Sequence, residues 1–227
     1  MEVVYEDNHL IVVNKRAGEI VQGDKTGDKP LSEMVKDYIK EKYAKPGNVF
    51  CGVVHRLDRP VAGLVVFART SKALERMNAM FRDGKVHKTY LALVEGKPPR
   101  PEGLLEDWLV SDGRINKTFV TAAGSKDAKL ARLRYRMLAQ GRRYTVLEVE
   151  LLTGRKHQIR AQLANMGCVI KGDLKYGARR SNPDGGISLQ AHKVEFVHPV
   201  SRENISLTAD VLSEMQLILD EKGLDQR

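Results

Sequence analysis

The sequence predicts an α+β fold, with a mixed, largely antiparallel β-sheet core and flanking helices. Segments with the pattern of strands outnumber segments with the pattern of helices, and several neighbouring strands are separated by turns of hairpin length. A chain of 227 residues can bury most of its apolar surface without disulfides or metals. We expect a single domain over residues 1–227.

The first third of the chain supplies strands and two helices. The segment VVYEDNHLIVVNK predicts two short strands joined at an Asp-Asn turn, and KPLSEMVKDYIKEKY places apolar side chains at helical spacing. Residues 61–68 form a short, continuous apolar run, which indicates a strand buried on both faces. Thr70 and Ser71 offer N-caps for the helix that follows.

The rest of the chain continues the alternation. KVHKTYLALVEG and YTVLEVELL predict strands, and TGRKHQIRAQLANMG predicts a helix that Gly167 ends. Residues 188–196 predict another strand, and an amphipathic helix follows over residues 211–219. Residues 98–112 begin with three prolines and a glycine, which predicts a loop or an insertion.

Charge points to a polyanionic partner. The chain has 38 Lys and Arg against 29 Asp and Glu, a net charge of +9. An excess of this size is typical of proteins that bind nucleic acid, although many basic proteins do not. The N-terminus has no signal-peptide pattern, and the longest apolar run is too short to cross a bilayer. We therefore expect a cytoplasmic protein without a membrane partner.

The sequence lacks the motifs of many nucleotide-binding and metal-binding sites. The sequence contains no phosphate-binding loop, no dinucleotide fingerprint and no zinc motif, so we expect no cofactor and no metal. What remains is the segment HRLDRPVAGLVVFART, where Asp58 lies between Arg56 and Arg59 just before the apolar run. An ionised aspartate held by guanidinium groups can serve as a nucleophile. A surface ion pair is the alternative, and spacing alone favours it.

Similarity to a known family changes this balance. The segment that contains Asp58 resembles the signature of the RluA-type pseudouridine synthases. KTYLALVEG is similar to the family's tyrosine-bearing strand, and LLTGRKHQIRAQLANMGCVIKGDLKYG closely resembles its third block. EDNHLIVVNKRAG and LQAHKVEFVHP resemble the opening strand pair and a late strand. These blocks span nearly the whole chain in the expected order.

The resemblance implies an enzyme that isomerises specific uridines in structured ribosomal or transfer RNA to pseudouridine. Asp58 corresponds to the catalytic aspartate, Tyr90 to the tyrosine that stacks on uracil, and Arg160 to the arginine that pairs with the aspartate. Whether the carboxylate attacks uracil or ribose, or initiates glycal formation, stays open. The implied fold is the pseudouridine synthase fold with a central RNA-binding cleft, and the implied partner is RNA, bound by a monomer.

The resemblance also suggests residues for RNA. Arg56 corresponds to the arginine that fills the space of the extruded base, although a phosphate contact is the alternative. Ile159 and Leu163 would supply apolar walls of the uracil pocket. The expected RNA-binding residues are Arg56, Arg59, Arg155, Lys156, His157, Lys171 and Lys175.

Two points leave the substrate open. Residues Val61, Ala62 and Gly63 replace the family's more usual Thr-Ser-Gly, which removes two hydroxyl groups beside the aspartate. The sequence begins directly with the catalytic core, so we expect recognition to come from the core's own groove. The competing hypothesis is a catalytically silent RNA-binding or ribosome-assembly factor on the same fold. A hydrolase with an aspartate nucleophile is disfavoured, because no second carboxylate or metal motif accompanies Asp58.

Overall fold

The computed structural model describes residues 1–221, which form eleven strands and four α-helices. The strands are β1 (Glu2–Glu6), β2 (Leu10–Lys15), β3 (Gly52–Val53), β4 (Ala62–Ala68), β5 (His87–Glu95), β6 (Glu102–Asp112), β7 (Lys117–Thr121), β8 (Lys129–Gln140), β9 (Tyr144–Leu151), β10 (Leu189–Val197) and β11 (Asn204–Thr208). The helices are α1 (Leu31–Lys42), α2 (Ser71–Arg82), α3 (Gln158–Asn165) and α4 (Ser213–Glu221). The predicted α+β class is confirmed.

The chain forms two compact units. The first unit comprises Met1–Val86 and Ala191–Ala209. In it β2 pairs with β1 and β4, β3 pairs with β4, and β10 pairs with β11, all antiparallel. The run over residues 61–68 forms a strand whose last six residues are buried, as predicted. Helix α2 begins where the Thr70 side chain accepts a hydrogen bond from the Ala73 N–H, which confirms the predicted cap.

The second unit comprises His87–Gln190 and Asp210–Arg227, the last six residues of which lie outside the described part of the chain. Its strands follow the order β5-β9-β8-β6-β7, and every pair in this series is antiparallel. Helix α4 packs on β5, β8 and β9 through a cluster that includes Leu93, Val146 and Met215.

Helix α3 ends as the sequence predicted. Gly167 has a φ of 84°, and its N–H donates to the carbonyl oxygen of Ala164 at 3.0 Å. The Cys168 N–H donates to the carbonyl oxygen of Leu163 at 2.9 Å. These two bonds form a Schellman motif, which satisfies carbonyl groups at the helix end.

One prediction about the second unit was wrong. Residues 98–112 are not a loop, because Glu102–Asp112 forms β6, which pairs with both β7 and β8. The prolines and the glycine occur only at the start of this segment, and they hid the alternation of exposed and less exposed positions that follows. The sequence analysis also did not anticipate β7 and β8. Within residues 1–221, none of the helices combines the length and apolar character needed to span a bilayer.

Candidate active site

Asp58 lies in the loop that leads into β4. Its side chain is neither fully exposed nor fully buried. The carbonyl oxygen of Asp58 accepts a hydrogen bond from the Val61 N–H at 3.0 Å, which closes a tight turn. The start of a buried strand thus fixes the backbone of Asp58, so the carboxylate is held on a rigid support.

A buried lysine lies against this turn. The side chain of Lys15, the last residue of β2, is almost entirely buried at 1% exposure. Burial lowers the pKa of Lys15 to about 8, and the charges of Glu19 and Asp58 oppose this shift. Its Nζ donates to the carbonyl oxygens of Arg16 at 3.0 Å, Arg59 at 2.9 Å and Val61 at 2.6 Å. Lys15 therefore ties β2 to the part of the turn that follows Asp58, a role that the sequence analysis did not assign.

Replacing Lys15 should loosen this turn. In Lys15→Met three carbonyl groups lose a donor, so we expect the free energy of unfolding at neutral pH to fall by about 1–3 kcal/mol. Turnover should fall by about tenfold or more, since small displacements of a catalytic group are costly. Urea unfolding and an RNA modification assay measure the two effects. Lys45→Met, at an exposed position, is the control.

The effect of Lys15→Met on the free energy of unfolding should also depend on pH. The pKa of Lys15 is about 8 in the folded chain against 10.5 for a free lysine. Between these values the unfolded chain binds more protons, so the contribution of Lys15 to stability rises with pH. The difference in unfolding free energy between the wild type and Lys15→Met should therefore grow between pH 8 and pH 10. A constant difference over this range would contradict the assignment.

Arg59 has partners other than its sequence neighbour Asp58. Its guanidinium binds Asp28 at 2.6 Å and Asp24 at 3.3 Å, and it donates to the Thr26 hydroxyl at 2.7 Å. Arg59 therefore holds the loop that precedes α1, and an RNA phosphate would have to compete with two carboxylates for it. Arg56, by contrast, is exposed.

The second residue of β4, two positions after this turn, has to be glycine. Gly63 has a φ of 113°, and a Cβ atom there would lie 2.3 Å from the carbonyl oxygen of Ala191 in β10. A side chain would therefore collide with backbone that cannot move aside without separating β4 from β10. Glycine is required here by packing as well as by the positive φ.

In the second unit, Tyr90 lies on β5 opposite Val149 of β9. Its side chain is 7% exposed. A tyrosine at this depth belongs to the packed interior of its unit, with little surface left for solvent. This burial is compatible with a ring held in a fixed orientation.

Arg160 is held by a partner that the sequence analysis missed. On α3, its Nε donates to Oδ2 of Asp173 at 2.7 Å and its Nη2 donates to Oδ1 at 2.9 Å. The two side chains are 5% and 1% exposed. The guanidinium carbon also lies 4.9 Å from the centre of the Tyr176 ring. A bidentate pair and an aromatic face together fix the plane of this guanidinium.

Tyr176 extends this buried polar network. Its hydroxyl accepts from the Thr118 N–H at 2.9 Å and lies 2.9 Å from Nδ1 of His157. Burial raises the pKa of Tyr176, so the phenol stays protonated at neutral pH. His157 is 8% exposed and has a φ of 51° at the N-cap of α3. The structure thus places His157 in a packed network rather than on an open surface.

The other predicted RNA-binding residues differ in exposure. Lys156 is exposed, as is Arg155, whose Nε donates to the carbonyl oxygen of Leu130 at 3.0 Å. Lys175 is exposed and donates to the carbonyl oxygen of Asn116 at 3.0 Å, whereas Lys171 forms an ion pair with Glu214. The predicted apolar walls are buried: Ile159 is 4% exposed and Leu163 is 0% exposed.

Comparison with known structures identifies the fold. A human protein described as RNA pseudouridylate synthase domain containing 4 superposes with a TM-score of 0.80, covering 96% of this chain and 92% of that chain at 22% identity. The human protein described as RNA pseudouridylate synthase domain containing 1 gives a TM-score of 0.71 over 92% of this chain and 82% of that chain at 21% identity. The fold is that of the pseudouridine synthases.

Sequence comparison then gives the family. The family model for RNA pseudouridylate synthase matches residues 9–165. The tRNA pseudouridine synthase C of Vibrio parahaemolyticus is 32% identical over 93% of this chain and 90% of the relative. The ribosomal large subunit pseudouridine synthase D of Zymomonas mobilis is 29% identical over 96% of this chain and 71% of the relative. The chain belongs to the RNA pseudouridylate synthase family, enzymes that isomerise uridine in RNA to pseudouridine, and the resemblance to the RluA-type members is confirmed.

Proposed function

We propose that this protein isomerises specific uridines of ribosomal or transfer RNA. The observation that carries the proposal is the family match, because residues 9–165 include Asp58, Tyr90 and Arg160. Relatives that align with nearly the whole chain are named for the large ribosomal subunit and for tRNA, which supports these two RNA classes as substrates. Basic composition supports the same partner.

We assign Asp58 as the essential catalytic carboxylate, Tyr90 as the residue that stacks on uracil, and Arg160 as the arginine that keeps the carboxylate ionised. The local geometry around Asp58 and Arg160 supports their assignment. The Asp58 turn is fixed by Lys15, and the plane of Arg160 is fixed by Asp173. Groups that are held in place in this way need little rearrangement during the reaction.

We assign RNA binding to basic residues of both units, with Ile159 and Leu163 as apolar support for the uracil. Arg56 and Lys156 fit a phosphate or nucleotide contact best, because both are exposed and the described residues give neither an ion pair with a carboxylate. The other predicted RNA-binding residues already form contacts within the protein, so they would have to exchange these contacts for RNA or act through packing. They are Arg59, Arg155, His157, Lys171 and Lys175.

In the reaction the bond between N1 of uracil and C1′ of ribose breaks, a bond between C5 and C1′ forms, C5 loses a proton and N1 gains one. Such an isomerisation balances without a redox carrier, a nucleotide or a second substrate, so we propose that the enzyme works without a cofactor. We further propose that it acts as a monomer on RNA in the cytoplasm.

Mapping of modified sites tests the function. RNA from cells that lack the gene is incubated with the purified protein, and pseudouridines are mapped after carbodiimide labelling. The expected result is new pseudouridines at defined positions, the same positions that are modified in wild-type cells and unmodified in cells that lack the gene. RNA binding without new pseudouridine would support the catalytically silent RNA-binding factor instead.

Arg56→Ala separates two roles for this exposed arginine. If Arg56 occupies the gap left by the flipped uridine, the variant should lose more activity on a stem-loop target than on an unstructured oligonucleotide. Unstacking a base costs a few kcal/mol in a helix and less in a single strand. The ratio of kcat/KM values for the two substrates is the measurement.

A phosphate contact would behave differently. It would weaken both substrates to a similar degree and lower the salt slope of binding by about one unit. Equal losses on the two substrates would therefore contradict the gap-filling role of Arg56. Arg202→Ala, at another exposed position of the first unit, serves as the control.

A further inference from the structure

A basic pocket lies in the second unit, at the end of β5 where Glu95 stands. It has a volume of about 660 Å³ and is lined by residues from the β8–β9 turn and from the segment that follows Tyr176. Arg143, Arg179 and Arg180 line this pocket. We call it the arginine pocket.

Among the residues that the structure describes, the three arginines lack the carboxylate partners that many other arginines have. Arg132, Arg134 and Arg136, for example, pair across strands with glutamates at 2.7–3.2 Å. Within residues 1–221, by contrast, no ion pair with an acidic side chain involves Arg143, Arg179 or Arg180, and all three are exposed. The pocket is lined by these three arginines and one carboxylate, Glu95, so positive charge is in excess there and favours a bound anion.

The wall of the arginine pocket is built from a polar network. The Nζ of Lys171 donates to Oδ1 of Asn182 at 3.1 Å and pairs with Glu214 of α4. Nδ2 of Asn182 donates to the Ser188 hydroxyl at 3.0 Å, and this hydroxyl also binds Glu214. The segment that carries Arg179 and Arg180 is therefore anchored on both sides, and the positive charge of Lys171 is already neutralised.

The arginine pocket is separate from Tyr90. Both lie in the second unit and share β5, but Glu95 lines the pocket and is five residues beyond Tyr90 along the strand. At a rise of roughly 3.3 Å per residue the separation is about 17 Å. A nucleotide that stacks on Tyr90 therefore cannot itself fill the pocket.

We propose that the arginine pocket binds backbone phosphates of the substrate RNA at a distance from the uridine that reacts. The proposal rests on the function proposed above and adds a second RNA contact to it. Exposed guanidinium groups without internal partners are suited to phosphate oxygens, which they bind in a bidentate manner. Such contacts position an RNA without reading its sequence.

A charge-matched pair of variants tests this. The pocket variant carries Arg143→Gln, Arg179→Gln and Arg180→Gln, and the control variant carries Arg82→Gln, Arg100→Gln and Arg202→Gln at exposed positions elsewhere. Binding of an RNA of about thirty nucleotides that contains a mapped target uridine should weaken about tenfold in the pocket variant, and its salt slope should fall by about two units. The control variant should change the salt slope by less than about half as much.

A second experiment varies the length of the substrate RNA. An RNA of about five nucleotides around the same uridine is too short to reach the pocket at roughly 3.4 Å per nucleotide. On this RNA the pocket variant should match the wild type, and on the longer RNA its KM should rise while kcat stays the same. Unfolding midpoints of all three proteins should agree, because the replaced side chains are exposed.

Several results would overturn the proposal. Equal losses of affinity in the pocket and control variants would show a diffuse charge effect. An equal loss on the short RNA would place the three arginines at the reacting nucleotide. Tight binding of inorganic phosphate or a mononucleotide to the wild type, lost in the pocket variant, would make this a small-anion site. If the wild type modifies no RNA, the proposed function fails, whereas the binding comparison still decides the role of the pocket.

Discussion

Asp58→Asn should abolish pseudouridine formation and leave RNA binding intact. The amide keeps the size of the side chain and most of its hydrogen bonding but removes the anion on which the proposed chemistry depends. Removing a negative charge from a basic surface costs no attraction for phosphate, so affinity should be unchanged or slightly higher. Turnover on target RNA and binding at fixed salt are measured on the same preparation.

The matched control for this change is Asp37→Asn. Asp37 is exposed and pairs with Lys29 on the surface, so its replacement deletes the same charge at a position with no proposed role. Asp37→Asn should retain wild-type turnover. Turnover near the wild-type level in Asp58→Asn would return Asp58 to the status of an ordinary charged residue at a strand entrance.

Asp173→Asn should have the largest effect on stability. The change takes a negative charge and one strong acceptor from the buried Arg160 guanidinium, whose side chain is 5% exposed. Breaking a buried ion pair from one side costs about 3–5 kcal/mol. Urea unfolding measures the loss, and turnover should fall with it because Arg160 loses its orientation.

The stability control is Asp112→Asn, which removes a carboxylate from a pair with Arg114, an arginine that is 91% exposed. This change should cost no more than about 1 kcal/mol. If Asp173→Asn does not fold, Tyr176→Phe provides a milder test. It keeps the ring under Arg160 but removes the acceptor of the Thr118 N–H, at a cost of about 1–3 kcal/mol. Losses below 1 kcal/mol in both variants would contradict a network that holds Arg160.

Local sequence patterns predicted much of the fold. The run over residues 61–68, the Thr70 cap and the Gly167 helix end depend on neighbouring residues, and the structure has all three. β6 was missed because three prolines directly precede it and Gly103 is its second residue, which together are typical of a loop. Strand pairing, not propensity, determines such a segment.

The site was predicted less completely, because its supports come from distant parts of the chain. Lys15 reaches the carbonyl oxygen of Val61 across 46 positions, and Arg59 reaches Asp28 across 31. No local pattern reports such contacts. Asp173 lies inside the segment LLTGRKHQIRAQLANMGCVIKGDLKYG, which resembles a block of the family, yet only the structure shows that it holds Arg160. The catalytic roles of Asp58, Tyr90 and Arg160 stay predictions until their variants are assayed.

Gly63 has a consequence for how this turn can change over evolutionary time. Neighbouring positions hold Val61 and Ala62 where hydroxyl residues are usual in the family, and the strand forms without those hydroxyls. At Gly63 the backbone of β10 leaves no room for any side chain. Val61 is only 3% exposed and Ala62 is partly exposed, so variation is open at Ala62 and closed at position 63, where the fold leaves no room. A substitution at Ala62 can therefore alter the surface at the start of β4 while the backbone that carries Asp58 stays the same.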